Sequence, residues 1–287
     1  MTRIALLPDV IIAPLVQMAL AEDLGRAGDI TSQAVIPPDA MAAAHMTARE
    51  EGCIAGLDIA VATFKAVDAT LEVEKLKQDG DTVTKGDAVL RIAGRAQSVL
   101  TAERVALNFV GRLSGIATLT LKMVTATGNH KAKIAATRKT TPGLRAVEKY
   151  AVQVAGGLPH RFGLDDAVMI KDNHIAFAGG VALAVRRARD AVGHTVKVEV
   201  EVDTLSQLEE AMTENPDIVM LDNMSLEDMA EAVRIVNGHA VVEASGNVTL
   251  DRIPDIAATG VDVISSGAIT HSAPNFDVGL DDVPYAA

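Results

Sequence analysis

Six short apolar runs in the later part of the chain limit its fold more than any other feature. They occupy residues 133–136, 167–170, 196–200, 218–221, 240–242 and 261–264. Between the later runs lie amphipathic segments of helical period: LSQLEEAMTE, SLEDMAEAVRIV and LDRIPDIAATG. Strands of this length alternating with helices call for a parallel sheet joined by right-handed crossovers, and so many units in succession point to a barrel. No G-x-G-x-x-G follows any run, which disfavours a dinucleotide-binding sheet.

The residues that end the runs carry the chemistry. In order they are Thr137-Arg138-Lys139, Lys171, Glu201, Asp222-Asn223, Glu243 to Ser245-Gly246-Asn247, and Ser265-Ser266-Gly267-Ala268. In a βα barrel the C-terminal strand ends share one face, and active sites lie there. One polar residue in such a place is an ordinary helix cap; six in register are not. The first runs supply the cations Arg138, Lys139 and Lys171, joined by His160 and Arg161 from the loop between. Arginine forks match carboxylates bidentately and lysine adds point charge, so the ligand must carry several negative charges. Glu201 and Asp222 suit Mg²⁺ or ribose hydroxyls. The Ser-Gly turns open into helices, where backbone N–H groups can cradle a phosphate.

Such a face fits transfer of a phosphorylated sugar to a small polyanion. A Schiff-base aldolase using Lys171 is a second reading, but it leaves Arg138, Arg161 and both carboxylates without a task. A non-enzymatic anion-binding module leaves Glu201 and Asp222 unexplained.

The rest of the 287-residue chain narrows the field. Net charge is −12, from 26 basic and 38 acidic residues, which argues against a nucleic-acid or anionic-membrane surface. There is no Trp, with two Tyr and five Phe, so base-stacking platforms are missing. The single Cys53 excludes an internal disulfide and a multi-thiolate metal site, and fits a reducing cytoplasm. At the start, Pro8, Asp9 and Pro14 interrupt the apolar stretch before a signal core or spanning helix can form. A helix is expected over 10–24, stopped at Gly25 and Gly28, with Asp29–Thr31 capping the next segment. Residues 42–92 read as mixed α and β, with antiparallel strands around Asp79-Gly80-Asp81 and Lys85-Gly86-Asp87. A long helix is expected over 98–127, with a break or kink at Ser114-Gly115. From periodicity alone Arg104 and Arg112 on this helix face solvent or make ion pairs.

Several blocks together carry a family resemblance: ATRKTTPGLR (136–145), HRFGLDDAVMIKDNH (160–174), VEVEV (198–202), DIVMLDN (217–223), EASGN (243–247) and ISSGAITHS (264–272). With LAEDLGRAGDITS and TAERVALNFVGRLSGIAT they cover almost the whole chain, and it resembles the quinolinate phosphoribosyltransferases. The resemblance implies an N-terminal α/β open sandwich, residues 1–112, rejoined by residues 275–287. It implies an incomplete, TIM-like α/β barrel over 113–274, the type II phosphoribosyltransferase arrangement. It also implies a cytoplasmic homodimer with a shared active site, working on quinolinate and phosphoribosyl pyrophosphate with Mg²⁺ and no organic cofactor. On this basis Arg104, reaching across from a partner, joins Arg138, His160, Arg161 and Lys171 in holding the quinolinate carboxylates. Thr137 and Lys139 join the substrate site, Lys139 on the pyrophosphate side, and Lys139, Lys171, Glu201 and Asp222 form the catalytic set. Glu201 and Asp222 hold ribose and, directly or through it, Mg²⁺; Ser245-Gly246-Asn247 and Ser266-Gly267-Ala268 take the 5′-phosphate. Leu158-Pro159 and Asp172 depart from the family pattern without touching a proposed ligand group. A related protein of molybdenum metabolism shares the fold without the full TRKTTPG and IK-x-NH blocks.

Overall fold

The computed structural model describes residues 7–283; the beginning of the N-terminal apolar stretch, residues 1–6, and residues 284–287 lie outside the described residues. In chain order the elements begin with α1 (Asp9–Leu24), α2 (Ile30–Val35), β1 (Met41–Ala48), β2 (Gly52–Cys53), α3 (Leu57–Val67), β3 (Glu72–Lys75), β4 (Thr82–Val83), β5 (Ala88–Arg95) and α4 (Ala96–Ala126). Next come β6 (Lys133–Ala135), α5 (Arg145–Val154), β7 (Val168–Ile170), α6 (Asp172–Ala178), α7 (Val181–Ala191), β8 (Val198–Val202) and α8 (Leu205–Met212). The last are β9 (Ile218–Asp222), α9 (Leu226–Val236), β10 (Val241–Ser245), α10 (Ile253–Ala258), β11 (Val263–Ser265), α11 (Ala268–His271) and β12 (Val278–Val283). No described helix is long and apolar enough to cross a membrane.

The chain forms two compact units. The first holds Met1–Leu119, Thr141–Ala155 and Ser272–Ala287; the second holds Thr120–Thr140 and Gly156–His271. The division falls later than the boundary at residue 112 that the resemblance implies, and residues 141–155 group with the first unit.

In the first unit, Ile12, Val16 and Leu20 recur every fourth residue along α1 and are its buried stripe. Asp29 caps α2, its carboxylate accepting the Ser32 N–H at 2.9 Å. An antiparallel sheet runs in the order β12-β1-β5-β3, while β2 and β4 pair separately. Its core is aliphatic, built from Met46, Ile54, Leu57, Leu71, Leu90 and Ile92, with Phe64 and Phe276. The break expected in α4 is not there: the helix runs through Ser114-Gly115. Ser114 Oγ accepts the Ala55 N–H (2.9 Å) and donates to the Ala55 carbonyl (3.2 Å). A Cβ on Gly115 would stand 2.0 Å from the Pro274 carbonyl oxygen. The pair serves close packing. Just before that pair on α4, Arg112 binds the fully buried Glu148 through Nε (3.1 Å) and Nη2 (2.8 Å).

In the second unit six parallel strands run in the order β6-β11-β10-β9-β8-β7, so consecutive β6 and β7 stand at opposite ends. Leu158 pairs with β6 in their place: its N–H donates to Ile134 O (2.8 Å) and its carbonyl accepts from Ala136 N–H (2.9 Å). The result is an incomplete α/β barrel with its seam between Leu158 and β7. Two aspartates set the strand register by one device. Asp217, just before β9, accepts the Val198 N–H, and Asp262, just before β11, accepts the Val242 N–H, each at 2.9 Å. With their starts pinned, β8 and β10 extend to Val202 and Ser245, beyond the ends at 200 and 242 expected from apolar runs. Glu201 and Glu243 therefore lie inside strands. Along β8, Val198, Val200 and Val202 point one way, and Glu199 and Glu201 the other.

Candidate active site

At the C-terminal ends of the barrel strands lies a cavity of about 640 Å³ lined by fifteen residues. Eleven are those given a ligand in the sequence analysis: Thr137, Arg138, Lys139, His160, Arg161, Lys171, Glu201, Asp222, Ser245, Gly246 and Asn247. Strand order fixes their sequence round the rim. From β7 to β6 it reads Lys171, Glu201, Asp222, the Ser245 turn, Ser265, then Thr137-Arg138-Lys139. His160 and Arg161 come from the segment after Leu158 at the seam. The cations are thus contiguous across the seam, the carboxylates are neighbours, and the hydroxyl-bearing turns complete the circuit.

Each group is held by its surroundings. Lys171 ends β7 and caps α6; its N–H donates to His174 Nδ1 (2.9 Å), which explains a histidine three residues after the lysine. The Lys171 ammonium pairs with Glu201 Oε2. That contact is an ion pair, not the free amine a Schiff-base nucleophile requires. Arg161 donates through Nη1 to the Ala167 carbonyl (3.0 Å). Burial, then the neighbouring Arg138, weakens Arg161's hold on its proton. An anion between the two guanidinium groups relieves that repulsion. Asp222 Oδ2 accepts from Asn223 Nδ2 (2.8 Å), and Asn223 Oδ1 accepts from Asn247 Nδ2 (2.8 Å). Gly246 adopts φ 85°, and a Cβ there would lie 2.3 Å from Asn223 Oδ1. The Lys139 carbonyl accepts from the fully buried Thr270 hydroxyl (2.7 Å), and the Lys139 stem lies on bare Gly267, where a Cβ would come within 2.7 Å of Cδ.

Four of the expected residues are not among those that line the cavity. Ser266, Gly267 and Ala268 do not line the cavity, and Ser265 does. The Ser266 N–H donates to the Ala135 carbonyl (3.0 Å), so it is occupied by strand pairing. Arg104 lies on α4 in the first unit, exposed and without an ion pair among the described residues. Asn223 and Ser265, named above among the residues that end the runs, also line the cavity, as do Met169 and Met220. Both methionines sit within the apolar runs of β7 and β9, where attention to charge passes over them.

Inside the barrel Glu199 and Glu243, 2% and 3% exposed, face His160 Nε2 at 3.8 and 3.3 Å. Burial and the second carboxylate push the Glu199 acid up, to about 7. His160 Nδ1 meanwhile accepts the Arg161 N–H at 2.8 Å. His160, to which the resemblance gives a substrate carboxylate, is also one of the cavity-lining residues.

The family models of the quinolinate phosphoribosyl transferase N-terminal and C-terminal domains match residues 29–114 and 116–281. The chain belongs to the quinolinate phosphoribosyltransferase family. It is 42% identical over 260 residues to a probable nicotinate-nucleotide pyrophosphorylase [carboxylating] of Bacillus subtilis, covering 91% of this chain and 89% of the relative. A mitochondrial quinolinate phosphoribosyltransferase [decarboxylating] of Nicotiana tabacum is 44% identical over 284 residues, covering 93% and 80%. The solved nicotinate-nucleotide pyrophosphorylase of Francisella tularensis superposes with a TM-score of 0.93 at 42% identity, covering 99% of this chain and all of that one. This family's fold, an α/β unit with an incomplete barrel, is the one described above.

Proposed function

We propose that the chain is a decarboxylating quinolinate phosphoribosyltransferase of NAD biosynthesis. It joins the ring nitrogen of quinolinate to C1 of phosphoribosyl pyrophosphate, releasing pyrophosphate and CO₂ and leaving nicotinate mononucleotide. The observation that carries this reading is the order of groups around one rim: cations, carboxylates, then hydroxyl turns. The substrates present the matching series of dicarboxylate, ribose and 5′-phosphate.

Arg138, Arg161 and Lys171 hold the two carboxylates and so aim the ring nitrogen at C1, a gain from orientation. Glu201 and Asp222 receive the ribose hydroxyls, the Ser245-Gly246-Asn247 turn takes the 5′-phosphate, and Lys139 lies toward pyrophosphate. As the N–C1 bond forms, the C1–O bond breaks and its electron pair leaves on pyrophosphate. The C2–carboxylate bond then breaks, its pair moving to C2 beside the quaternised nitrogen, and C2 takes up a proton as CO₂ departs. The pyridinium is itself the electron sink, so no organic cofactor is required.

Magnesium fits the carboxylate pair. Lys171 occupies one oxygen of Glu201 and Asn223 one of Asp222, so the other oxygen of each would be the one to hold a hard cation. When bound, it offsets charge growing on pyrophosphate. Arg104 of a second copy completes the dicarboxylate site, which makes the enzyme a homodimer. The lone Cys53 accords with the cytoplasm.

Incubation with phosphoribosyl pyrophosphate, Mg²⁺ and either quinolinate or nicotinate tests the reading. Nucleotide and CO₂ are expected from quinolinate alone. Preference for nicotinate, or a borohydride-trapped adduct at Lys171 with a carbonyl substrate, overturns it.

A further inference from the structure

We propose that Glu148 and Arg112 are positioning residues, which hold the segment carrying Arg138 and Lys139 in shape by way of Thr141. Residues 137–144 belong to no helix or strand, so no regular ladder of backbone bonds fixes them. Side chains take over that task. Lys139 N–H donates to Thr137 Oγ1 (3.0 Å), and the Thr270 hydroxyl donates to the Lys139 carbonyl (2.7 Å). Two residues on, Thr141 N–H donates to Glu148 Oε2 (3.0 Å) and the Thr141 hydroxyl to Glu148 Oε1 (2.7 Å).

Glu148 lies in the first turn of α5 and is wholly buried. Arg112 fixes it from the other side, through Nε at 3.1 Å and Nη2 at 2.8 Å to Oε1. Both oxygens thus receive only donors, which suits a carboxylate, a group that accepts and does not donate. A buried ion pair adds little stability over apolar packing of the same volume. An apolar residue at 148 would fill the space, but it would leave the Thr141 N–H and hydroxyl without their acceptor. The charge is explained by what it ties down.

That tie bears on the reaction through reach. A chain spans at most about 3.5 Å per residue, so with Thr141 pinned the Lys139 backbone stays within about 7 Å of it and the Arg138 backbone within about 11 Å. Both cations line the cavity. A shift of about 1 Å in such groups is enough to cost about 100-fold in rate. Arg112, on a long helix, and Glu148, on α5, supply the rigid support that the segment itself lacks.

The kinetic arm of the test rests on the quinolinate reading; the exchange arm does not. In the full chain, amide hydrogen exchange over residues 137–144 is expected to be about tenfold faster in Glu148→Gln and about threefold faster in Thr141→Val, with exchange along β8 and β9 as in wild type. Exchange over 137–144 unchanged in both variants overturns the proposal. In the assay, kcat/KM for quinolinate is expected to fall about tenfold in Glu148→Gln and about threefold in Thr141→Val, with Thr141→Ser, which keeps the hydroxyl, near wild type. The double variant Thr141→Val with Glu148→Gln is expected to lose no more than Glu148→Gln alone, because both changes cut one tie. Losses that multiply, or Thr141→Ser as impaired as Thr141→Val, overturn the proposal. If Glu148→Gln does not fold, the two variants of the exposed Thr141 decide. Failure of the wild-type chain to use quinolinate sinks the functional reading instead, while exchange in Thr141→Val still decides whether Glu148 holds the segment.

Discussion

Arg138 and Gly246 belong to different strands of the rim, β6 and β10, and fail differently when changed. Arg138→Ala removes charge-assisted bonds to a carboxylate and is expected to cost about 2 kcal/mol or more of transition-state stabilisation, roughly 30-fold in kcat/KM for quinolinate. Unchanged kinetics would take Arg138 out of the site. Gly246→Ala drives a methyl against Asn223 at a positive φ, so the damage travels to the Asp222 carboxylate that Asn223 holds. The expected signature is a rise of about tenfold or more in KM for phosphoribosyl pyrophosphate, with quinolinate binding measured by calorimetry near wild type. A third residue bears on stability. Asp79 accepts from Leu57 N–H (3.0 Å) and Tyr150 OH (2.9 Å), yet burial outweighs these bonds and raises its pKa. A carboxyl raised on folding favours the fold most below its unfolded pKa, about 4, and loses that contribution as pH climbs through the folded value. Relative to wild type, Asp79→Asn is therefore expected to melt progressively higher as pH rises from about 4 to 7. A melting difference that is flat with pH, or falls, would refute this. At this scale most of the charged lining was legible because it follows the apolar runs, with His160 and Arg161 coming from the loop between two of them. Glu199 was not: a carboxylate inside a strand is readable only once its partners, His160 and Glu243, are brought alongside by other parts of the chain.

The elements were legible where period and punctuation agree, as in α1 between Pro8 and Gly25. They were misread where a polar residue has a tertiary task. Ser114-Gly115 looks like a hinge until Ala55 and Pro274 are seen to occupy its two faces. Gly115→Ala is accordingly expected to destabilise the protein by roughly 1–3 kcal/mol in urea unfolding, since a carbonyl oxygen at 2.0 Å is backbone and cannot swing aside. A stability gain, as alanine in an exposed helix would give, would mean that Pro274 does not pack there. Likewise β8 and β10 were cut short because their inward residues are acidic. The aspartate clamps at Asp217 and Asp262, which set their starts, join strands about twenty residues apart and leave no mark on local pattern.

For the whole molecule, the proposed sharing of the site between two copies makes a prediction that a self-contained monomer does not. Arg104→Ala and Arg138→Ala are each expected to be nearly inactive alone. After dissociation and mixing of the two, random pairing puts half the chains into heterodimers with one intact site in two, so activity should return to about a quarter of wild type. No recovery would confine Arg104 to its own subunit or remove it from the site. Barrel architecture and rim chemistry could be anticipated from the six runs, because one topology dominates such a pattern; the grouping of residues 141–155 with the first unit could not, because it depends on which core absorbs Val147, Tyr150 and Val152. The strand β12 adds a matter of timing. It completes the first sheet at β1, as in the Arg49–Asp281 pair, 232 residues apart in the chain. A ribosome adding about 5–20 residues per second needs some 10 to 50 s to cover that distance. Throughout that interval β1 presents one unpaired edge to its surroundings, an opening for chaperones and for neighbouring nascent chains alike.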